Sequence, residues 1–122
     1  MANTSISISD AELEIMKVLW KQRTPVTTSS IIEAVAHKEW KRTTISTLLT
    51  RLVEKGALRA EKHGNSYIYT PLITERAYRK TQTKNLIQTL YNGSVRELAV
   101  SLFEDNGLSQ EDIDELRKQF HL

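Results

Sequence analysis

Apolar residues in the first half of the chain recur at helical spacing in three separate segments. The first segment follows "ISDAEL", in which Ser9 and Glu12 have the spacing of a capping box. Its buried stripe is predicted to consist of Leu13, Met16, Leu19 and Trp20. The second helix is predicted to begin near Thr27 or Thr28 and to reach about His37, and its inward positions are Ile31, Ile32 and Val35.

The third segment, "RTTISTLLTRLVEKG" at residues 42–56, is apolar on one face and rich in short hydroxyl residues on the others. The apolar stripe consists of Ile45, Leu48, Leu49, Leu52 and Val53, and Gly56 is predicted to end the helix at the C′ position. The outward positions carry Thr43, Thr44, Ser46, Thr47 and Thr50. Each of these residues costs about 0.5 kcal/mol of helix stability relative to Ala, so we expect the surface to have a function.

After Gly56 the period of the pattern changes from 3.6 to 2. The runs "ALRAEK" and "SYIYTP" flank "HGN", where Gly64 and Asn65 are predicted to supply the positive φ angles of a tight turn. The pattern therefore predicts a β-hairpin. Before the second helix, Val26 is expected to add no more than one or two extended residues.

Helical spacing returns near residue 74 and predicts three more helices, which begin near residues 74, 94 and 109. Asn92 and Gly93 should end the first of them, and Ser109 should cap the last. The apolar positions are Tyr78, Leu86, Leu90, Tyr91, Val95, Leu98, Leu102, Phe103, Ile113, Leu116 and Phe120. The predicted fold is mainly α with a small β-hairpin: a winged helix-turn-helix at 1–73, followed by a C-terminal helical dimerisation region at 74–122.

The charge distribution favours a polyanionic partner for one part of this fold. The chain has a net charge of +2, but residues 38–62 hold seven basic and three acidic groups, while residues 104–115 hold six carboxylates and no base. The basic segment covers the third helix and the hairpin, which contact DNA in winged helices. We therefore expect double-stranded DNA to be the partner of these two elements.

Composition and motifs also bear on the location of the protein and on whether it is an enzyme. The chain has no cysteine, no run of 18 apolar residues and no signal-peptide pattern at its N-terminus, so we expect a cytoplasmic protein. His37, His63 and His121 lie too far apart for a recognised metal-binding motif. No phosphate-binding loop or Ser-His-Asp arrangement is visible, so we expect no metal, no cofactor and no enzymatic activity.

Thr and Ser side chains let a helix backbone approach the floor of the major groove, where a Thr methyl contacts thymine methyl groups and a hydroxyl donates to base-edge acceptors. The residues predicted to face the bases are Thr43, Thr44, Ser46 and Thr47, while Arg51 reaches a base or a phosphate. The residues predicted to hold the DNA backbone are Lys41, Arg42, Arg59, Lys62 and His63. Three alternatives stay open: an ordinary Thr-rich surface, a solvated strip at Arg51 and Lys55, and a winged helix that binds a protein.

Three stretches of the chain, "ISDAELEIMKVLW", "TTISTLLTRLVEKGALRAEKHGNSYIYTPL" and "LSQEDIDELR", resemble the penicillinase-repressor family of the BlaI/MecI type and its copper-responsive relatives. The resemblance implies a dimeric transcriptional repressor that binds inverted repeats with TACA-like half-sites. The family pattern carries over at Thr44, Ile45, Thr47, Leu48, Thr50, Arg51 and Leu52. It differs at Lys41, Arg42, Thr43 and Ser46, where penicillinase repressors tend to have Ser, Pro, Lys and Arg. Because two long basic side chains of the reading face are replaced, the resemblance leaves the operator sequence open.

The resemblance also implies a mode of induction. Penicillinase repressors are inactivated by a membrane sensor or protease through cleavage between an Asn and a Phe, and the matching positions here are Ser101 and Leu102. Cleavage at this bond is a hypothesis, because neither residue is retained. The copper-responsive relatives end in a cysteine cluster that binds Cu(I), and this cysteine-free chain lacks such thiolate ligands.

The apolar surface of the last three helices provides a physical reason for a homodimer. These short helices carry more apolar residues than they can hide among themselves, so a twofold partner is expected to cover the remainder. The predicted dimerisation residues are Tyr78, Leu86, Leu90, Leu98, Leu102, Phe103, Ile113 and Leu116. The alternative is a monomer in which these helices pack on the winged helix.

Overall fold

The computed structural model describes residues 6–23, 25–104 and 107–120. Thr24, Asp105, His121 and the side chain of Phe120 lie outside this description. The helices are α1 (Asp10–Gln22), α2 (Thr28–Ala34), α3 (Arg42–Glu54), α4 (Glu75–Tyr91), α5 (Val95–Glu104) and α6 (Gln110–Phe120). The strands are β1 (Val26–Thr27), β2 (Leu58–His63) and β3 (Ser66–Pro71). The predicted class, mainly helical with a small antiparallel sheet, is confirmed.

The chain forms two compact units, residues 1–81 and residues 82–122. The first unit has the element order of a winged helix-turn-helix, with α2 and α3 followed by the β2–β3 hairpin. The second unit contains α5 and α6. The functional division at residues 73 and 74 stays a prediction.

The capping box at the start of α1 is confirmed. The Glu12 backbone N–H donates to the Ser9 hydroxyl at 3.2 Å, and the Ser9 backbone N–H donates to the Glu12 carboxylate at 2.8 Å. Together these bonds satisfy two N–H groups that have no partner within a helix. The helix ends at Gln22, and Arg23 follows in the left-handed conformation.

The second helix is shorter than its sequence suggests. Thr27 is the N-cap, since its hydroxyl accepts a hydrogen bond from the Ser30 backbone N–H at 3.1 Å, but α2 ends at Ala34 rather than near His37. The segment Ala36–Lys38 is a 3-10 helix, in which the Lys38 N–H donates to the Val35 carbonyl. This tighter winding ends at Glu39, whose φ of 58° turns the chain toward α3.

The α3 helix is bounded as predicted. Ile45, Leu48, Leu49 and Leu52 are buried, and Val53 is partly buried. The Ala57 N–H donates to the Leu52 carbonyl and the Gly56 N–H to the Val53 carbonyl, which is the bonding pattern of a Schellman motif. Gly56 has a φ of +82°, a conformation that costs a residue with a Cβ about 1 kcal/mol or more.

The sheet has three strands in the order β1-β3-β2, one strand more than the predicted hairpin. Val26 and Thr27 are the two extended residues that were expected, and they pair with Tyr69 and Ile68 on β3. In the turn only Gly64 has a positive φ, so the expectation for Asn65 is wrong. A two-residue turn with Gly in its first position is typical of type II′.

The core of the first unit joins α1, α2 and α3 to the sheet. Its largest fully buried apolar side chains are Ile15, Met16, Leu19, Ile31, Leu49, Leu52 and Leu58. Tyr78 on α4 also belongs to this core: it is 8% exposed, and its ring lies 5.8 Å from that of Trp20. The Trp20 indole N–H donates to the Ile73 carbonyl at 2.9 Å. Tyr78 is therefore a core residue of the first unit, and not the exposed dimerisation residue that was predicted.

The end of α3 is tied to the start of α1. The Lys55 ammonium contacts the buried Glu12 carboxylate and donates to the Ser7 carbonyl at 2.8 Å. Lys55 is therefore an exposed residue that also forms an ion pair with a buried carboxylate, and the interpretation of Arg51 as part of a solvated strip stays open. The contact fixes one end of α3 against α1.

Candidate nucleic-acid interface

The hydroxyl-rich side of α3 is exposed along its full length. Thr43, Thr44, Ser46, Thr47 and Thr50 are all exposed, whereas the opposite side of the same helix forms part of the core. Thr47 and Arg51 lie where two shallow surface depressions meet, one next to Thr44 and the other next to Ser46. The five residues and Arg51 therefore form a continuous surface, which we call the hydroxyl face.

Within the hydroxyl face, the Thr47 side chain already has a hydrogen-bond partner. Its hydroxyl donates to the Thr43 carbonyl one turn earlier at 2.9 Å. The proton is used within the helix, so this hydroxyl cannot donate to DNA in the same conformation, contrary to the role that was expected for it. The methyl group and the oxygen lone pairs remain for an outside partner.

The start of α3 carries uncompensated positive charge. Lys41 is the N-cap residue without a side-chain capping bond, and both Lys41 and Arg42 are exposed. The first turn contains no acidic residue. Basic residues are unfavourable at a helix N-terminus, where the macrodipole is positive, and a bound phosphate would remove this conflict.

The strand register places the predicted basic residues of the hairpin on two opposite faces. Arg59, Glu61 and His63 alternate along one face of β2, and their partners on β3 are Thr70, Ile68 and Ser66. The Arg59 Nε lies 2.9 Å from one Glu61 carboxylate oxygen, and the His63 Nε2 lies 3.5 Å from the other. Two of the expected phosphate contacts are thus engaged with a carboxylate.

Lys62 lies on the other face, opposite Tyr67. Successive side chains of a strand point to opposite sides, so Lys62 and Tyr67 share a face with the pair Ala60 and Tyr69. This is the side that packs toward α3, because Tyr67, Tyr69 and Ala60 line a cleft together with Ser46 and Thr50. The cleft has a volume of about 480 Å³. Tyr67, which is 45% exposed, was not among the predicted site residues.

In the second unit, the predicted dimerisation residues lie on α4, α5 and α6. Exposed members of the set include Leu90 at 65% and Phe103 at 54%, together with Leu86, Leu102 and Leu116. Leu98 and Ile113 are partly buried. Phe103, Ile113 and Leu116 line a groove of about 530 Å³. The pattern missed Val100, which is exposed beside Ser101.

The predicted cleavage position lies within a helix. Ser101 and Leu102 belong to α5, where Ser101 is partly buried and Leu102 is exposed. A protease binds its substrate in an extended conformation, so this bond becomes accessible only when α5 opens locally. The described part of the chain has no helix long and apolar enough to cross a membrane, and in that part no three acidic or histidine side chains cluster in a way that could hold a metal ion.

Comparison with known proteins assigns the chain to one family. The family model described as penicillinase repressor matches residues 8–121. A penicillinase repressor of Bacillus licheniformis is 40% identical over 109 residues, which cover 89% of this chain and 85% of that protein. The methicillin resistance regulatory protein MecI of Staphylococcus aureus strain N315 is 34% identical over 117 residues, or 96% of this chain and 95% of that protein.

Two solved structures are similar to part of the chain. The DNA-binding domain of the repressor BlaI is 43% identical, with a TM-score of 0.56 over 64% of this chain and 94% of that one. The monomeric form of Bacillus licheniformis BlaI, in complex with the blaP half-operator, is 45% identical, with a TM-score of 0.51 over 59% of this chain and 88% of that one. The resemblance found in the sequence is thereby confirmed, and the chain belongs to the penicillinase repressor family.

Proposed function

We propose that this chain is a transcriptional repressor that binds a palindromic operator sequence-specifically as a homodimer. The observation that carries this proposal is the hydroxyl face of α3, which is exposed on a helix whose other side is core. Membership of a family of repressors supports the same function, since the BlaI relative was solved with operator DNA. A protein-binding winged helix is less well supported, because the exposed start of α3 is basic and Lys62 adds a positive charge on the wing.

The contacts divide into two kinds. Thr43, Thr44, Ser46 and Thr47 lie against base edges, while Arg51 contacts a base or a phosphate. Lys41, Arg42 and Lys62 neutralise phosphates, and Arg59 and His63 contribute less because Glu61 holds them. Because Thr43 and Ser46 replace the long basic residues of penicillinase repressors, the operator should differ from the family's TACA-like half-site.

Selection from random duplexes tests the proposal. The full chain should enrich an inverted repeat with half-sites spaced by about one helical turn or somewhat more. Its affinity for the enriched duplex should fall steeply with salt, because phosphate neutralisation releases counterions. Failure to enrich any sequence, with affinity that does not depend on salt, would favour a protein-binding module instead.

We further propose that residues 74–122 form the dimerisation region. The exposed apolar side chains of α4, α5 and α6 support this assignment, with Leu90 and Phe103 the most exposed of the predicted set. Burial of such a surface in a twofold interface removes apolar area from water, which favours the dimer. Residues 1–73 would then act as the DNA-binding region of each protomer.

Sedimentation equilibrium at micromolar concentration tests the dimer. Phe103→Asp should shift the chain toward monomer and weaken operator binding, because the charged group must be buried without a partner. Leu72→Asp is the matched control, since Leu72 is an exposed apolar residue of the first unit. If the wild-type chain sediments as a monomer, the dimer assignment is wrong.

Release from the operator is proposed to follow cleavage between Ser101 and Leu102 by a sensor or protease that responds to the inducer. Local opening of α5 would expose the bond and remove Leu102 and Phe103 from the dimer interface. Mass spectrometry of the chain before and after induction tests this step. Fragments ending at Ser101 are expected, whereas an intact chain with a vacant operator would reject cleavage.

The remaining assignments follow from this role. Transcriptional repressors are not a class of enzyme, and we infer that the chain has no catalytic activity, needs no cofactor and acts in the cytoplasm, where its operator DNA is found. Activity assays of the purified chain against candidate substrates would contradict this assignment if one polar residue proved essential for turnover.

A further inference from the structure

The wing and α3 together form a cleft that the sequence pattern did not reveal. The cleft of about 480 Å³ has Ser46 and Thr50 of the hydroxyl face on one side and Tyr67 and Tyr69 of β3 on the other. Val53 and Ala60 add apolar surface to its lining. Hydroxyl groups with apolar surface between them match the chemistry of a deoxyribose–phosphate chain, whose sugar is apolar and whose phosphate oxygens accept hydrogen bonds.

We propose that this cleft receives the sugar–phosphate backbone of one operator strand, and that Tyr67 is a phosphate-contacting residue of the wing. The inference rests on the proposed DNA-binding function and names the partner of a second surface beside the hydroxyl face. Two features select the DNA backbone as the occupant: the cleft is continuous with the hydroxyl face through Ser46 and Thr50, and Lys62 lies directly opposite Tyr67.

The two faces of the wing differ in how much free positive charge they carry. On the face opposite Tyr67, Arg59 and His63 are both held by Glu61, so this face carries little free positive charge. Within the described ranges Lys62 forms no ion pair, and its cross-strand partner is Tyr67. The wing therefore presents to phosphate chiefly the face of Lys62 and Tyr67, and the Arg59 face contributes less.

Glu54 also lines the cleft, and its carboxylate acts against a phosphate. Glu54 therefore limits how closely the DNA backbone approaches the end of α3. Removing the charge with Glu54→Gln should strengthen binding to every duplex by about twofold or more, since like charges at an interface weaken association. Weaker binding by this variant would contradict a phosphate in the cleft.

The main test compares Tyr67→Phe with Lys62→Ala in the full chain, on the selected operator and on a random duplex. Tyr67→Phe should weaken binding to both by about tenfold, because a hydrogen bond to a charged phosphate is lost. Its salt slope should stay unchanged, since tyrosine carries no charge. Lys62→Ala should weaken both and reduce the salt slope by about 1.

The control is the double variant Lys17→Ala with Glu14→Ala, which removes one charge of each sign from α1, outside the proposed interface. Its affinity and salt slope should match those of the wild type. The proposal is overturned if Tyr67→Phe binds both duplexes within about twofold of the wild type, or if the double variant loses as much affinity as Lys62→Ala. Selective, salt-dependent binding by the wild type would still support the proposed function in either case.

Discussion

Lys55 and Glu12 form an ion pair that joins the end of α3 to the first turn of α1, although they lie 43 residues apart in the sequence. The Glu12 side chain is 1% exposed, and the Lys55 side chain is 35% exposed. Lys55 also donates to the Ser7 carbonyl at 2.8 Å. Within the described residues, the second carboxylate oxygen of Glu12 has no hydrogen-bond partner. The ion pair and the hydrogen bond from the Ser9 backbone N–H therefore compensate the buried charge together.

Removal of Lys55 should destabilise the chain more than removal of a surface lysine. We expect Lys55→Ala to lower the free energy of unfolding by about 1 to 3 kcal/mol, less than for a fully buried pair because Lys55 is partly solvated. Lys17→Ala is the control, since Lys17 lies 3.8 Å from the partly exposed Glu14 and should cost within about 0.5 kcal/mol. Urea unfolding at pH 7 measures both. Equal losses would show that the Lys55 contact adds nothing.

Glu12 should make the stability depend on acid pH. Burial raises its pKa, but the hydrogen bonds from Lys55 and from the Ser9 backbone and side chain outweigh burial and hold the pKa below the usual 4.5. A lowered pKa in the folded state means stability that is present above pH 4.5 and is lost as pH falls through the folded value. Melting temperatures from pH 7 to pH 3 should therefore converge for the wild type and Glu12→Gln. Curves that stay parallel would contradict the shift.

At Thr47 the methyl group should matter more than the hydroxyl proton. The proton is donated to the Thr43 carbonyl, so the methyl is the group available for a thymine contact. We expect Thr47→Ser to weaken operator binding by about 1 kcal/mol, and Thr47→Val to bind with nearly wild-type affinity. Fluorescence anisotropy on the selected duplex measures both. The reverse order would mean that the hydroxyl contacts the DNA.

Tyr78 should act on the stability of the first unit and leave dimerisation unchanged. Its ring packs on Trp20, so Tyr78→Ala should cost about 3 kcal/mol of unfolding free energy. At a temperature where the variant is folded, its dimer dissociation constant in sedimentation should equal that of the wild type. Leu90→Asp, which changes an exposed residue of the same helix, should show the opposite pattern. A dimer defect in Tyr78→Ala would restore the original assignment.

The elements that local chemistry determines were predictable from the sequence. Ser9 with Glu12, Thr27, Gly56 and Ser109 each act within a few residues of their own position, and the structure has the corresponding caps. The hydroxyl face was predictable for the same reason. Helical spacing alone separates Thr44 or Ser46 from the buried stripe.

Features that depend on distant parts of the chain could not be predicted in this way. The two extended residues of β1 were expected, but their pairing with β3 depends on residues far along the chain and has no local signal. Tyr78 lies on a helix without a clear apolar stripe, and only the position of Trp20 shows that it is buried. The role proposed for Tyr67 depends on the face of the hairpin on which it lies, and the strand register determines that face. The type of the turn at Gly64 fixes the register, and the sequence did not give that type.

The central claim is that the hydroxyl face of α3 reads base edges. The most direct test compares how much affinity Thr44→Ala loses on the operator with how much it loses on a random duplex. Thr44 is exposed, and Ala favours the helix, so a binding defect would not come from unfolding. Competition between the selected operator and a random duplex at one salt concentration should show a loss of about 1 to 3 kcal/mol on the operator and almost none on the random duplex. An equal loss on both duplexes, or no loss on either, would contradict the claim.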